Sequence, residues 1–387
     1  MTRTSVLWLY GPAGVGKTTV GWEIFSRLTR TGVAAAFVDI DQLGMCYPEQ
    51  PSDPGRHLLQ ARNLAAVVGN FAAAGARSVI VAGVVDPARG VPADVIPGAA
   101  LVSCRLRADA AELRRRFVER SGDHADPEAI DDLLREAAAL DANNGAGLCV
   151  DTSTMSAIAV ADDVVRRCGG WPALIGPRRD AAQARMADLP ASTTATPVLF
   201  LCGAAGVGKS TVGFEIYMGD LNAGRAAAYI DLDQIGFCSP ASADKSHAVK
   251  AANLAAICAN YEAAGARQLI VVGPVESVQA AATYAAALPA ADITLCRLHA
   301  GRDALQLRIS QRGRGGSWSQ PGDPLLGQSP GHLRRVAEQA AHEAEELDRA
   351  SIGDLRVDTD GRSASAIADL VVSKAGWRTR PGHGHQP

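Results

Sequence analysis

The sequence predicts an α/β protein built as two tandem domains, each a parallel sheet covered by helices on both faces. Three observations predict it. Short apolar runs alternate with longer helical stretches, the whole alternation occurs twice, and the second occurrence repeats residues of the first at a nearly constant spacing. Alternation of this kind is the pattern of crossover connections between parallel strands.

In the first copy, strands are expected near 5–10, 35–39, 78–83, 100–106 and 147–150. Helices are expected to begin near Lys17, Arg56, Asp109, Pro127 and Thr154. The first strand rests on Val6-Leu7-Trp8-Leu9, which returns as Val198-Leu199-Phe200-Leu201. The third has the β-branched core Val79-Ile80-Val81, matched by Leu269-Ile270-Val271-Val272. Near-continuous apolar strands of this kind are buried on both faces. Ligands of such sheets bind at the carboxyl ends of the strands. The glycine-rich loop after strand one, an Asp-x-Asp after strand two and the turns at Gly83 and Gly273 all fall on that rim.

The repeat is long. Lys17 and Lys209 stand 192 residues apart (209 − 17), and Asp39-Ile40-Asp41-Gln42 returns as Asp231-Leu232-Asp233-Gln234. Asn63-Leu64-Ala65-Ala66 matches Asn253-Leu254-Ala255-Ala256, and Gly170-Trp171 matches Gly376-Trp377. A solenoid repeat spans roughly 20 to 50 residues, so these are whole domains. The expected organisation is a first domain over 1–171, a Pro/Ala/Ser/Thr-rich linker over 172–197, a second domain over 198–377, and a disordered tail over 378–387.

Composition narrows the class. A formal net charge of −3 provides no basic field for nucleic acid. No apolar run approaches the roughly 20 residues needed to span a bilayer, and no signal-peptide pattern opens the chain, so a cytoplasmic protein without a membrane partner is expected. The eight cysteines form no C-x-x-C pair. Those inside apolar strands, Cys104, Cys149, Cys202 and Cys296, read as reduced, small buried hydrophobes.

The chemistry centres on two loops that fit G-x-x-x-x-G-K-[ST]. They are Gly11-Pro12-Ala13-Gly14-Val15-Gly16-Lys17-Thr18, followed by Thr19, and Gly203-Ala204-Ala205-Gly206-Val207-Gly208-Lys209-Ser210, followed by Thr211. Glycines let successive N–H groups turn toward phosphate oxygens, and the next helix adds its positive N-terminus. Lys17 and Lys209 then reach the β/γ-phosphates, while the Thr18 and Ser210 hydroxyls take a magnesium position. The Asp-x-Asp pairs, Asp39/Asp41 and Asp231/Asp233, follow the lysines at identical spacing. Carboxylates flanking one residue of an extended segment share a side, which suits one to a metal and the other to an attacking hydroxyl. Beyond strand four, Arg116/Arg120 and Arg308/Arg312 each lie four apart on a helix, where they can clamp phosphates.

This order of motifs resembles the small P-loop kinases: shikimate, gluconate and adenylylsulfate kinases and chloramphenicol phosphotransferase. The resemblance covers each repeat nearly end to end and implies two tandem P-loop NTPase domains. Each would be a five-stranded parallel sheet of order 2-3-1-4-5 with a helical lid. It further implies transfer of the ATP γ-phosphoryl, with Mg2+, to a small-molecule hydroxyl acceptor. Carried over by position, Asp39 and Asp231 serve the metal, and Asp41 and Asp233 serve the acceptor. Asp151-Thr152-Ser153 and Asp358-Thr359-Asp360 would lie beside the adenine. Here Gln42-Leu43-Gly44 and Gln234-Ile235-Gly236 follow the Asp pairs, where adenylylsulfate and gluconate kinases carry their own acceptor-reading residues. Neither of those substrates is implied.

His57 and Asn63, with their counterparts His247 and Asn253, sit on the helix after Asp-x-Asp, where acceptor pockets of such kinases form. A helix cap or a satisfied polar group explains them equally well. The second copy carries an insertion: Asp141 corresponds to Asp348 at an offset of 207 rather than 192, and Gly313 to Gly331 is rich in Gly, Ser and Pro. It is either a flap or a tolerated surface insertion. The main alternative to a kinase is a regulatory ATPase switch that recruits a protein partner. A nucleoside monophosphate kinase lacks support in the lid.

Overall fold

The computed structural model describes residues 4–86, 90–91, 96, 98–121, 126–143, 147–177, 195–239, 243–315 and 323–377. The tail over 378–387 and most of the expected linker lie outside these residues, although 172–174 belong to a short helix.

In chain order, the first repeat runs β1 (Thr4–Tyr10), α1 (Lys17–Arg30), β2 (Ala35–Asp39), β3 (Cys46–Tyr47), α2 (His57–Ala73), β4 (Ser78–Gly83) and β5 (Ala99–Arg107). It continues with α3 (Ala110–Ser121), α4 (Pro127–Ala142), β6 (Leu148–Asp151), α5 (Ala157–Arg167) and α6 (Trp171–Leu174). The second repeat runs β7 (Pro197–Cys202), α7 (Lys209–Asn222), β8 (Ala227–Asp231), β9 (Cys238–Ser239), α8 (Ala243–Ala263), β10 (Gln268–Val272) and α9 (Val278–Ala287). It closes with β11 (Asp292–His299), α10 (Arg302–Gly313), α11 (Pro330–Arg349), β12 (Leu355–Asp358) and α12 (Ala364–Lys374).

Each sheet has six strands, in the orders β6-β5-β1-β4-β2-β9 and β12-β11-β7-β10-β8-β3. In each sheet five strands run parallel, through four parallel pairings, and the sixth joins by one antiparallel pairing. The five-stranded, all-parallel expectation is therefore corrected: each sheet is mixed. The sixth strand is a two-residue piece from the other repeat. Cys46 and Tyr47 pair with Ala228 and Ala227, and Cys238 and Ser239 pair with Ala36 and Ala35. Accordingly one compact unit comprises 1–44, 56–188 and 236–249, and the other 45–55, 189–235 and 250–387. Each unit thus takes a short exchanged segment from the other repeat. Pairing satisfies the N–H and C=O groups that β2 and β8 would otherwise expose as edges. Packing anchors the pieces: Phe237 stacks edge-on to Trp22 at 4.9 Å in the first unit, and Met45 and Tyr47 join the apolar core of the second.

The central strands are buried along all but a terminal residue, as their apolar sequences require. Register sets the rim: Asp39 lies beside Ala82, which lies beside Leu9, and Asp231 lies beside Val272, which lies beside Leu201. One intervening strand separates β1 from β2, about 10 Å of sheet. The helix after the loop spans that gap because Gly21 and Gly213 let it lie close. An added Cβ would stand 3.0 Å from Phe37 in the first unit and 2.4 Å from Val272 in the second.

Candidate functional site

Each loop leaves its first strand at a glycine that nothing else could replace. Gly11 has φ 148°, and a Cβ there would lie 2.2 Å from the Leu106 carbonyl oxygen; at Gly203 the values are 135° and 2.3 Å, from Leu298. Gly16 and Gly208 then take left-handed conformations to start α1 and α7. The turn at Gly14 and Gly206 is also left-handed, and Val15 and Val207 are buried beneath it.

The loop lysines fold back over their own cradles. Lys17 Nζ donates to the carbonyls of Gly11 (2.8 Å) and Pro12 (2.9 Å), and Lys209 Nζ to those of Gly203 (2.8 Å) and Ala204 (3.2 Å). Burial pushes the Lys17 ammonium below its usual range, with the Asp41 and Asp39 carboxylates opposing that shift.

Beside each lysine, a loop hydroxyl meets the strand-two carboxylate. Thr18 Oγ1 donates to Asp39 Oδ2 at 2.9 Å, and Ser210 Oγ to Asp231 Oδ2 at 2.7 Å. The other carboxylate oxygen accepts the backbone N–H two residues on, from Asp41 (3.1 Å) and Asp233 (3.0 Å). This turn tips the second carboxylate of each pair outward, so Asp41 and Asp233 are exposed while Asp231 is buried. Burial, then the neighbouring aspartate, raises Asp39 and Asp231 to about 6. Such a charge invites a cation. Hydroxyl and carboxylate oxygens in contact are hard donors suited to Mg2+, which usually keeps one or two carboxylates plus phosphates and water. Among the described residues no cluster of three or more His, Cys, Asp or Glu could hold a metal alone. The hydroxyl and carboxylate of each pair fit a Mg2+ that shares its other positions with phosphate and water.

The four arginines divide into two kinds. Arg116 bonds Val15 O (3.3 Å), Thr152 Oγ1 (3.1 Å), Thr152 O (2.7 Å) and Glu112 (2.7 Å). Arg308 reproduces the latch on Val207 O (3.0 Å), Thr359 Oγ1 (2.8 Å) and Thr359 O (2.9 Å). These guanidiniums tie the phosphate loop to the Asp-Thr segment. Arg120 is exposed and Arg312 half-buried; the charge of Arg120 is felt at Lys17 and that of Arg312 at Asp233. Arg120 also lies over the Phe117 ring at 5.9 Å, and Arg312 pairs at 2.6 Å with Asp323, which lies within the Gly313–Gly331 segment.

Asn63 and Asn253 are fully buried, and their amides donate to Leu43 O and Ile235 O at 2.7 Å. They brace the loop after Asp-x-Asp. His57 opens α2 and is half-buried within range of Glu136, while His247 lies half-buried on α8.

Two residues escaped the sequence reading. Glu136 on α4 and Glu343 on α11 are half-buried carboxylates held above their usual range, chiefly by burial. Glu136 feels Lys17 and Asp41; Glu343 Oε2 accepts the N–H of the loop residue Ala205 at 3.2 Å. The signal was present, since the two glutamates correspond at the 207 offset that aligns Asp141 with Asp348. Charged residues on these helices are numerous, and nothing local distinguishes these two.

The cysteines are free and mostly buried, and no helix among the described residues is long and apolar enough to cross a membrane.

No known family model matches this sequence, and no curated protein matches it. Solved structures do. A sugar kinase from a Janibacter species is 16% identical, covering 45% of this chain and 99% of its own, with a TM-score of 0.33. The APS kinase of Mycobacterium tuberculosis, solved with AMPPNP and APS, is 19% identical over 47% of this chain and 99% of its own, with a TM-score of 0.32. Shikimate kinase from Acinetobacter baumannii, solved with shikimate, is 14% identical over 48% of this chain and 96% of its own, with a TM-score of 0.31. Each of these matches spans less than half of this chain.

Proposed function

We propose that the protein is an ATP-dependent phosphotransferase with a nucleotide site in each repeat, acting on the hydroxyl of a small-molecule acceptor. The observation that carries this reading is a doubled arrangement. In both units a loop lysine, a loop hydroxyl bonded to a strand-two carboxylate, and a second, outward carboxylate stand on one rim.

Thr18 with Asp39, and Ser210 with Asp231, would hold Mg2+ together with the nucleotide phosphates, and the ion would neutralise charge on the transferring group. The loop N–H groups and Lys17 or Lys209 bind the phosphate tail and draw charge toward the β/γ bridge. Asp41 or Asp233 orients the acceptor hydroxyl and takes its proton as the new O–P bond forms and the bond from Pγ to the β/γ-bridging oxygen breaks, releasing ADP. Arg120 and Arg312 add positive charge where the equatorial oxygens develop theirs. Arg116 and Arg308 keep the loop in shape. Most of the acceleration would come from positioning and electrostatics.

The test is ADP release from the purified chain, first with MgATP alone and then with pooled alcohols, sugars, nucleosides and hydroxylated antibiotics. Acceptor-stimulated release with label from γ-phosphate in the acceptor supports the kinase. Slow turnover indifferent to every acceptor overturns it in favour of a nucleotide switch.

A further inference from the structure

The two acceptor sides differ in charge. Three residues before the bracing asparagines Asn63 and Asn253, the first repeat has Gln60 and the second has Lys250. Gln60 is buried at 4% exposure and neutral, so the cation acting on Asp41 from the phosphate loop is Lys17, as Lys209 acts on Asp233, and α2 adds no lysine to it. In the second repeat, Lys250 Nζ donates to Asp233 Oδ1 at 2.6 Å. The lysine side chain is only 12% exposed, whereas that of Asp233 is 50% exposed. The stem of Lys250 is thus packed away, and its ammonium emerges beside the carboxylate assigned to the acceptor. Arg62 does not restore the balance in the first repeat. It is two residues beyond Gln60, about 200° round the helix, and exposed.

We propose, resting on the kinase reading, that Lys250 makes the second site selective for an acceptor bearing an oxyanion, phosphate or carboxylate, near the hydroxyl to be phosphorylated. The first site takes a neutral acceptor. Lys250 already spends one donor on Asp233, and an ammonium has three. An acceptor oxyanion at the site engages the others or replaces Asp233 as partner. A neutral alcohol gains nothing from the ammonium and meets an Asp233 already held by it. In the first site the same oxyanion meets Asp41 and Asp39 with no lysine from α2 to offset them. Discrimination therefore comes from attraction in one pocket and repulsion in the other.

The experiment uses full-length chain carrying either Lys17→Ala, which leaves the second site, or Lys209→Ala, which leaves the first. Binding and transfer are measured with matched probes: glucose, glucose 6-phosphate and gluconate, together with glycerol, glycerol 3-phosphate and glycerate. Calorimetry in the presence of magnesium AMPPNP reads binding independently of turnover. The Lys17→Ala chain should bind the anionic members about tenfold or more tightly than their neutral partners, and the Lys209→Ala chain should not. Adding Lys250→Met should abolish that preference, while Lys250→Arg should keep most of it, with an unchanged thermal melt certifying the fold. The phosphate and carboxylate arms separate the two kinds of oxyanion. Failure of every anionic probe to bind the second site, or a preference that survives Lys250→Met, overturns the proposal. Anion binding that depends on Lys250 without transfer to any probe would uphold the anion site at Lys250 while counting against the kinase reading on which its role as an acceptor site rests.

Discussion

Removing the Arg308 guanidinium distinguishes a loop latch from a catalytic clamp. In the structure Arg308 makes three bonds of 2.8–3.0 Å, one to the phosphate-loop carbonyl of Val207 and two to Thr359. A net hydrogen bond to a charged group contributes roughly 1.5–3 kcal/mol, and water replaces part of this at a half-exposed position. The three bonds share one side chain and are not additive, so the loss in Arg308→Ala should total about 2–3 kcal/mol. If that energy holds the loop in its nucleotide-ready shape, affinity falls by about 30- to 150-fold at 1.4 kcal/mol per tenfold. The measurement is titration calorimetry of magnesium AMPPNP into a Lys17→Ala chain with and without Arg308→Ala, beside single-turnover transfer at saturating nucleotide. The latch predicts weakened binding with a nearly unchanged chemical step. Normal affinity combined with a transfer rate reduced a hundredfold would refute it and return Arg308 to the transition state.

Three further outcomes are expected. Burial raises the folded-state pKa of Glu343, so this residue contributes nothing adverse at low pH and lowers stability as pH rises above the ordinary glutamate range; Glu343→Gln should raise the melting temperature at pH 8 and leave it unchanged at pH 4, and equal shifts at both would contradict the assignment. Asp220 is fully buried and accepts from Trp377 Nε1 (2.9 Å), Gln268 Nε2 (2.5 Å) and Arg225 Nη1 (3.1 Å), so Asp220→Ala should cost the second unit about 3–5 kcal/mol in urea unfolding followed by tryptophan fluorescence; a loss under 1 kcal/mol would show the network to be incidental. A fragment of residues 1–185 lacks the 236–249 segment of its own unit, leaving the edge of β2 unpaired. It should self-associate in sedimentation experiments and become monodisperse when the 186–387 fragment is added, and a stable monomeric fragment would argue against the exchange.

Some of this protein is written locally. The glycine-rich loops, the strands before them and the Asp pairs after strand two are legible because their chemistry is short-range. Gly11 must take positive φ within a few residues of Lys17, and Asp39 must follow an apolar run that reads as a buried strand. The 192-residue repetition doubled each signal. Other features depend on contacts between residues far apart in the chain. Arg116 and Arg120 share one helical face, yet Arg116 grips a carbonyl 101 residues away while Arg120 stays exposed over the Phe117 ring. Glu343 meets Ala205 across 138 residues, and nothing beside it in sequence marks it out among the other acids of α11. The exchanged strands β3 and β9 are two residues each, too short for any periodicity, and exist only because an open sheet edge and an aromatic cluster receive them. Backbone chemistry at the rim was thus determined by the sequence alone, while the partners of its charges were decided by packing, which selects among many chemically equivalent side chains by position.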